Sequence, residues 1–92
     1  MRTQYKNGLL TGAVAIEMCF GFKAPLSMHK LYGQKAIGRK YTKRPDLDNL
    51  EKFYLDCLTG VVFPDDAQVT SLHSKKEYAS KDYTEIFIYE LA

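Results

Sequence analysis

Residues 10–22 read LTGAVAIEMCFGF, and the fold turns on how this stretch is read. Val14, Ile16, Met18, Phe20 and Phe22 alternate with Ala13, Ala15, Glu17, Cys19 and Gly21, so the period is two and the segment is a strand. One face is bulky enough to be core. The other is small enough for a neighbouring element to cross it closely. At Asp46 the period changes. At about 100° per residue, Leu47, Leu50, Phe53, Tyr54, Cys57 and Leu58 share one stripe, with Asp48, Lys52 and Asp56 opposite, which predicts a helix over about 47–59. Pro45 precedes it, Asp48 followed by Glu51 has capping-box spacing, and Gly60 permits a left-handed exit.

Two further strands are expected, a rather polar one over about 69–78 and an apolar one over about 83–91, joined by a turn at Ser80–Asp82. Antiparallel pairing of these two is the economical arrangement. The sum is a single α+β domain: a small sheet of at least three strands with one main helix. Ninety-two residues with 46% hydrophobic side chains are too apolar for a disordered tail and too short for two cores.

Charge is unevenly placed. The chain carries 13 basic and 11 acidic side chains, net +2, yet no acidic residue lies between Glu17 and Asp46. Lys23, Lys30, Lys35, Arg39, Lys40, Lys43 and Arg44 all fall in that interval. Prolines, glycines and the lack of a steady period there predict a long surface loop over 23–45, and its unbroken positive charge points to a polyanionic partner. Tyr32 and Tyr41 are its aromatics suited to base stacking. Cys19 and Cys57 lack the close spacing of a zinc site and read as small buried thiols in a reducing compartment. His29 and His73 have no ligand spacing and are weak candidates for a catalytic base. No run is long enough to span a membrane and the first residues are too polar for a signal peptide, so a soluble, cytoplasmic chain is expected.

The candidate chemistry lies in Asp46, Asp48 and the Asp65–Asp66 pair, which flank the helix in sequence. A helix of about 12 residues is roughly 18 Å long, four extended residues recover at most about 14 Å, and the start of the next strand adds the remainder. Convergence is therefore allowed but not compelled. If the carboxylates meet, oxygen ligands of this kind suit Mg²⁺ or Mn²⁺ and phosphodiester hydrolysis, with the Lys52 ammonium one turn after Asp48 stabilising charge on the transferring phosphate. Each residue also has a plainer use: Asp48 as an N-cap, Lys52 as the i+4 ion-pair partner of Asp48 and Asp56, and Asp65–Asp66 as a turn.

The run Arg44-Pro-Asp-Leu-Asp-Asn-Leu-Glu-Lys52, then Asp56, Leu58 and Gly60, then Asp65-Asp66-Ala-Gln68, resembles the signature of the RusA family of Holliday-junction resolvases. The likeness is close over about Lys43–Tyr78 and looser over the preceding strand. It implies a homodimeric, Mg²⁺-dependent endodeoxyribonuclease, of a kind common in phages, that nicks four-way DNA junctions in pairs during recombination and repair. On this resemblance the metal-binding carboxylates fall on Asp46, Asp48 and Asp66 and the essential lysine on Lys52, with Asn49, Asp65 and Gln68 in supporting places. Lys30, Lys35, Arg39, Lys40, Lys43 and Arg44 fall on the DNA surface. Family members begin with an additional strand and a first helix, so Met1–Asn7 is expected to be that helix's last turn in a shortened member. The alternative readings are a nucleic-acid-binding module without catalysis, or an inactive shortened member.

Overall fold

The computed structural model describes residues 9–91; the expectation for Met1–Asn7 lies outside them. Strand β1 (Val14–Lys23) is followed by helix α1 (Leu26–Tyr32), a 3-10 turn (Gly33–Ala36) and helix α2 (Leu47–Leu58). A second 3-10 turn (Asp66–Gln68) leads into strands β2 (Val69–Ala79) and β3 (Tyr83–Glu90). The fold is α+β, with one mixed sheet of order β2-β1-β3.

The two later strands do not pair with each other, contrary to the economical arrangement. β1 lies between them, parallel to β2 and antiparallel to β3. The reason is compositional. A central strand must be buried along its core face and leave room on the other, and β1 alone has that pattern; the first half of β2 is almost wholly exposed, which suits an edge. The link between β2 and β3 passes the end of β1, where Asp82 accepts the Lys23 N–H at 2.7 Å and Ala79 accepts that of Ala24 at 3.0 Å.

Val14, Ile16, Met18 and Phe20 form the floor of the core, as their alternation predicts, and Leu58, Val62, Phe63, Ile86 and Ile88 complete it. α2 covers this face with Leu47, Leu50, Tyr54, Leu55 and Leu58. Two members of the expected stripe are displaced: Phe53 is 60% exposed and Cys57 is exposed. Only Leu58 of α2 is fully buried, so the helix rests on a narrower line than its apolar content allows. Phe53 instead lies edge-on against the Tyr54 ring. Cys57 is thus a surface thiol rather than a buried one, and Cys19 is half-buried on the far side of the sheet.

The segment 23–45 is more ordered than a loop. It holds α1 and the 3-10 turn, and then runs antiparallel along the outer edge of β2: Gly38 N–H bonds the Tyr78 carbonyl, Tyr78 N–H the Arg39 carbonyl and Tyr41 N–H the Lys76 carbonyl. α1 buries no residue, and Leu26 and Leu31 stand exposed, so it has no apolar stripe to show a helical period. What anchors the segment is a small second cluster, Ala24, Ala36 and Tyr78 with Met28 and Tyr41.

Candidate functional site

The start of α2 is built without a side-chain cap. Asp46 occupies the N-cap position and its carboxylate accepts no cap hydrogen bond; Asp48 lies in the first turn rather than at the cap. The expected Asp48–Glu51 capping box does not form, because Glu51 is turned to the sheet and accepts a hydrogen bond from the Ser74 hydroxyl at 2.6 Å. Both aspartates are exposed, and negative charge in this turn is favoured by the helix dipole. Lys52 follows one turn on, exposed; among the described residues the ion pair within 4.0 Å is Lys75–Glu77, so the expected Lys52 pairing with Asp48 or Asp56 is not made. Two plain uses of these residues, cap and ion pair, are therefore not the ones the fold employs.

The other acidic pair divides its labour. Asp65 caps the 3-10 turn: its carboxylate accepts the Ala67 N–H at 2.9 Å, while its own N–H donates to Gln68 Oε1 at 3.0 Å. The Gln68 amide then donates to the carbonyls of Leu10 and Gly12 at 3.0 and 2.9 Å, tying the turn to the segment before β1. Asp65 and Gln68 thus hold the turn together, and Asp66 stands exposed on it.

Asp66 does not meet Asp46 and Asp48 within the chain. The Lys76 ammonium donates to the carbonyls of Lys43 and Pro45, both at 2.8 Å, so α2 starts beside residue 76 of β2. Asp66 opens the 3-10 turn that directly precedes Val69, at the opposite end of that strand. At roughly 3.3 Å per residue, the strand between them spans roughly 20 Å. The chain after α2 does not run back along the helix: Gly60, at φ +83°, turns it sharply, its N–H bonding the Phe63 carbonyl, and Val62 and Phe63 drop into the core beside Leu58. Among the described residues no three His, Cys, Asp or Glu side chains gather closely enough to hold one metal ion. Asp46 and Asp48 stand two positions apart at the start of α2, and among the described residues of one chain no third carboxylate joins them.

The basic residues are presented as their sequence suggests. Lys30 lies in α1, Lys35 in the first 3-10 turn, Arg39 and Lys40 along the β2 edge and Lys43 and Arg44 in the turn leading into α2, all exposed. Their aromatic neighbours are already engaged. Tyr41 stacks on Phe22 with centroids 4.0 Å apart and meets Tyr78 edge-on, and the Arg39 guanidinium lies 3.8 Å over the Tyr32 ring. Tyr41 is thus a wedge that holds the basic segment to the sheet, not a platform open to bases.

The open face of the sheet carries a polar group that the alternation alone did not reveal. Tyr83 lies across Gly21, its hydroxyl donates to Glu77 at 2.7 Å, and the Cys19 sulfur is 2.9 Å away. An ionised carboxylate only accepts, so the phenol proton goes to Glu77 and the thiol donates to the phenol oxygen. Partial burial, then the bonds to Cys19 and Glu77, push the Tyr83 hydroxyl well above the usual phenol range. Glu17, His73, Lys75 and Glu85 border the same shallow cleft. No described helix is long and apolar enough to cross a membrane.

Comparison with known proteins agrees with the motif. The family model for endodeoxyribonuclease RusA matches residues 1–89, well beyond the Lys43–Tyr78 stretch that carries the motif. An uncharacterized protein, YqaN of Bacillus subtilis (strain 168), is 30% identical over 89 residues, which are 91% of this chain and 62% of the relative. The chain thus spans less than two thirds of that relative's length. No solved structure matches. With its matched segment running almost from end to end and the acidic and lysine positions at the start of α2, this chain belongs to the RusA endodeoxyribonuclease family.

Proposed function

We propose that the chain is a divalent-metal-dependent endonuclease of branched DNA, nicking four-way junctions as a homodimer. The observation that carries this reading is the uncapped start of α2: among the described residues the exposed carboxylates of Asp46 and Asp48 and the ammonium of Lys52 form no ion pair, next to a basic turn. In it, Lys30, Lys35, Arg39, Lys40, Lys43 and Arg44 hold the phosphate backbone without reading sequence. Asp46 and Asp48 hold Mg²⁺, with Mn²⁺ as a substitute, and the ion supplies Lewis acidity and an activated water for phosphodiester hydrolysis. Lys52 stabilises negative charge that develops on the phosphate as the bond breaks. Asp66 joins the ion from the second copy of the chain, because its own α2 start lies at the far end of β2.

Subunit mixing tests the reading directly. Asp48→Asn and Asp66→Asn homodimers are each expected to lose Mg²⁺-dependent nicking of a synthetic four-way junction. When the two are mixed and allowed to exchange, half-sites carrying both intact aspartates form, and nicking returns. Absence of recovery on mixing, with subunit exchange verified, removes the shared site. Salt-sensitive junction binding with no cleavage under any divalent ion replaces the nuclease with a binding module.

A further inference from the structure

The turn that leads into α2 is held from beneath by a residue the motif does not contain. Lys76 is in register with Phe20, so its side chain leaves β2 on the face that the core occupies. A lysine there is unexpected: its stem is half-buried against the sheet, and the ammonium comes out at an exposed edge where acceptors lie within reach. It finds two, the carbonyls of Lys43 and Pro45, each at 2.8 Å, and its charge lies 5.4 Å from the Tyr41 ring centroid. Tyr41 completes the clasp, donating its hydroxyl to the Arg44 carbonyl at 2.9 Å. Three successive carbonyls, of residues 43, 44 and 45, are thus bound by side chains anchored on or against the sheet.

Helix electrostatics do not account for the placement. A cation at the positive end of α2, beside Lys43 and Arg44, opposes the dipole. Its acceptors do account for it. The backbone from Lys43 to Asp46 carries the side chains of Lys43, Arg44, Asp46 and, one turn into the helix, Asp48, and α2 itself is tied to the sheet along only a narrow line. No side-chain cap fixes the helix start, and the bonds from Lys76 and Tyr41 hold the backbone that leads into it.

We propose that Lys76 is a positioning residue for Asp46 and Asp48: by clasping the carbonyls of Lys43 and Pro45, it sets the direction in which the start of α2 presents its carboxylates. It touches neither ion nor DNA. This rests on the nuclease reading above. Like other groups that orient metal ligands from behind, it is expected to matter by roughly 10- to 100-fold in ion affinity or activity.

Lys76→Met keeps most of the apolar stem and removes the charge and both bonds. In the full chain, amides of residues 43–50 are expected to exchange faster in Lys76→Met, while those of β1 stay protected. The Mg²⁺ concentration giving half-maximal nicking should rise by roughly 10- to 100-fold, saturating Mg²⁺ should recover turnover, and junction affinity in EDTA should change far less. Lys76→Arg, which can reach the same carbonyls, should restore the Mg²⁺ dependence. Unchanged exchange and unchanged Mg²⁺ dependence in Lys76→Met overturn the proposal. If Lys76→Met loses protection in β1 as well, Tyr41→Phe decides: removing only the bond to Arg44 should shift the Mg²⁺ dependence in the same direction, and no shift overturns the clasp. A wild-type chain that nicks at no Mg²⁺ concentration overturns the nuclease reading instead; exchange at residues 43–50 in Lys76→Met then upholds or overturns the clasp by itself.

Discussion

Gly21 shows how much a single missing side chain can decide. A Cβ placed there would overlap Cε1 and Cδ1 of Tyr83, its cross-strand partner, so no side chain fits while the ring lies flat on the sheet. The ring's position in turn delivers the hydroxyl to Glu77 and Cys19. Gly21→Ala is therefore expected to destabilise the domain by about 1–3 kcal/mol, the usual cost of overpacking, by displacing Tyr83 rather than by straining the backbone. A double-mutant cycle checks this in urea. In a Tyr83→Ala background the cost of Gly21→Ala should largely vanish, and a cost that persists would place the conflict elsewhere. The small residues of this face were legible from the alternation along β1, but the ring that needs the gap was not, because it belongs to a strand whose pairing the alternation does not specify.

At the scale of the element, α2 separates two properties that its sequence mixes. Leu47, Leu50, Phe53, Tyr54, Cys57 and Leu58 fit one broad stripe, yet the core uses only Leu47, Leu50, Tyr54 and Leu58 of it, together with Leu55 from outside the stripe. Leu58→Ala, at 1% exposure, is expected to cost about 2–5 kcal/mol, whereas Phe53→Ala, on the outer side, should stay within about 0.5 kcal/mol in the monomeric chain. Thermal unfolding of both variants checks this, and equal losses would restore the broader stripe. Helical period was readable because it is local. Which part of the stripe faces the core depends on how the helix is tethered, here by Lys76 at one end and by the Gly60 turn at the other. α1 was invisible for the complementary reason: a seven-residue helix that packs only Met28, half-buried, against the rest of the fold has no periodic stripe to read.

The whole molecule is elongated, with extents of 48 × 23 × 19 Å, and its basic residues follow the β2 edge into the start of α2. Junction binding should therefore fall steeply with monovalent salt, and neutralising Lys35 and Lys40 together should lessen the log–log slope by roughly 0.9 for each phosphate that is no longer neutralised, measured by fluorescence anisotropy without divalent ions. An unchanged slope would move the DNA path off this edge. By itself the amino-acid order determined the strands, the main helix, the positive segment and the acidic and lysine motif that marks the family, because each rests on neighbours a few residues apart. Only the tertiary structure decided that β1 lies between the other two strands and that the aspartate after α2 stands a strand's length from the two before it. Strand order depends on which face each strand can bury against distant partners, and the direction of the chain after Gly60 depends on Val62 and Phe63 finding the core. Neither is written in local spacing.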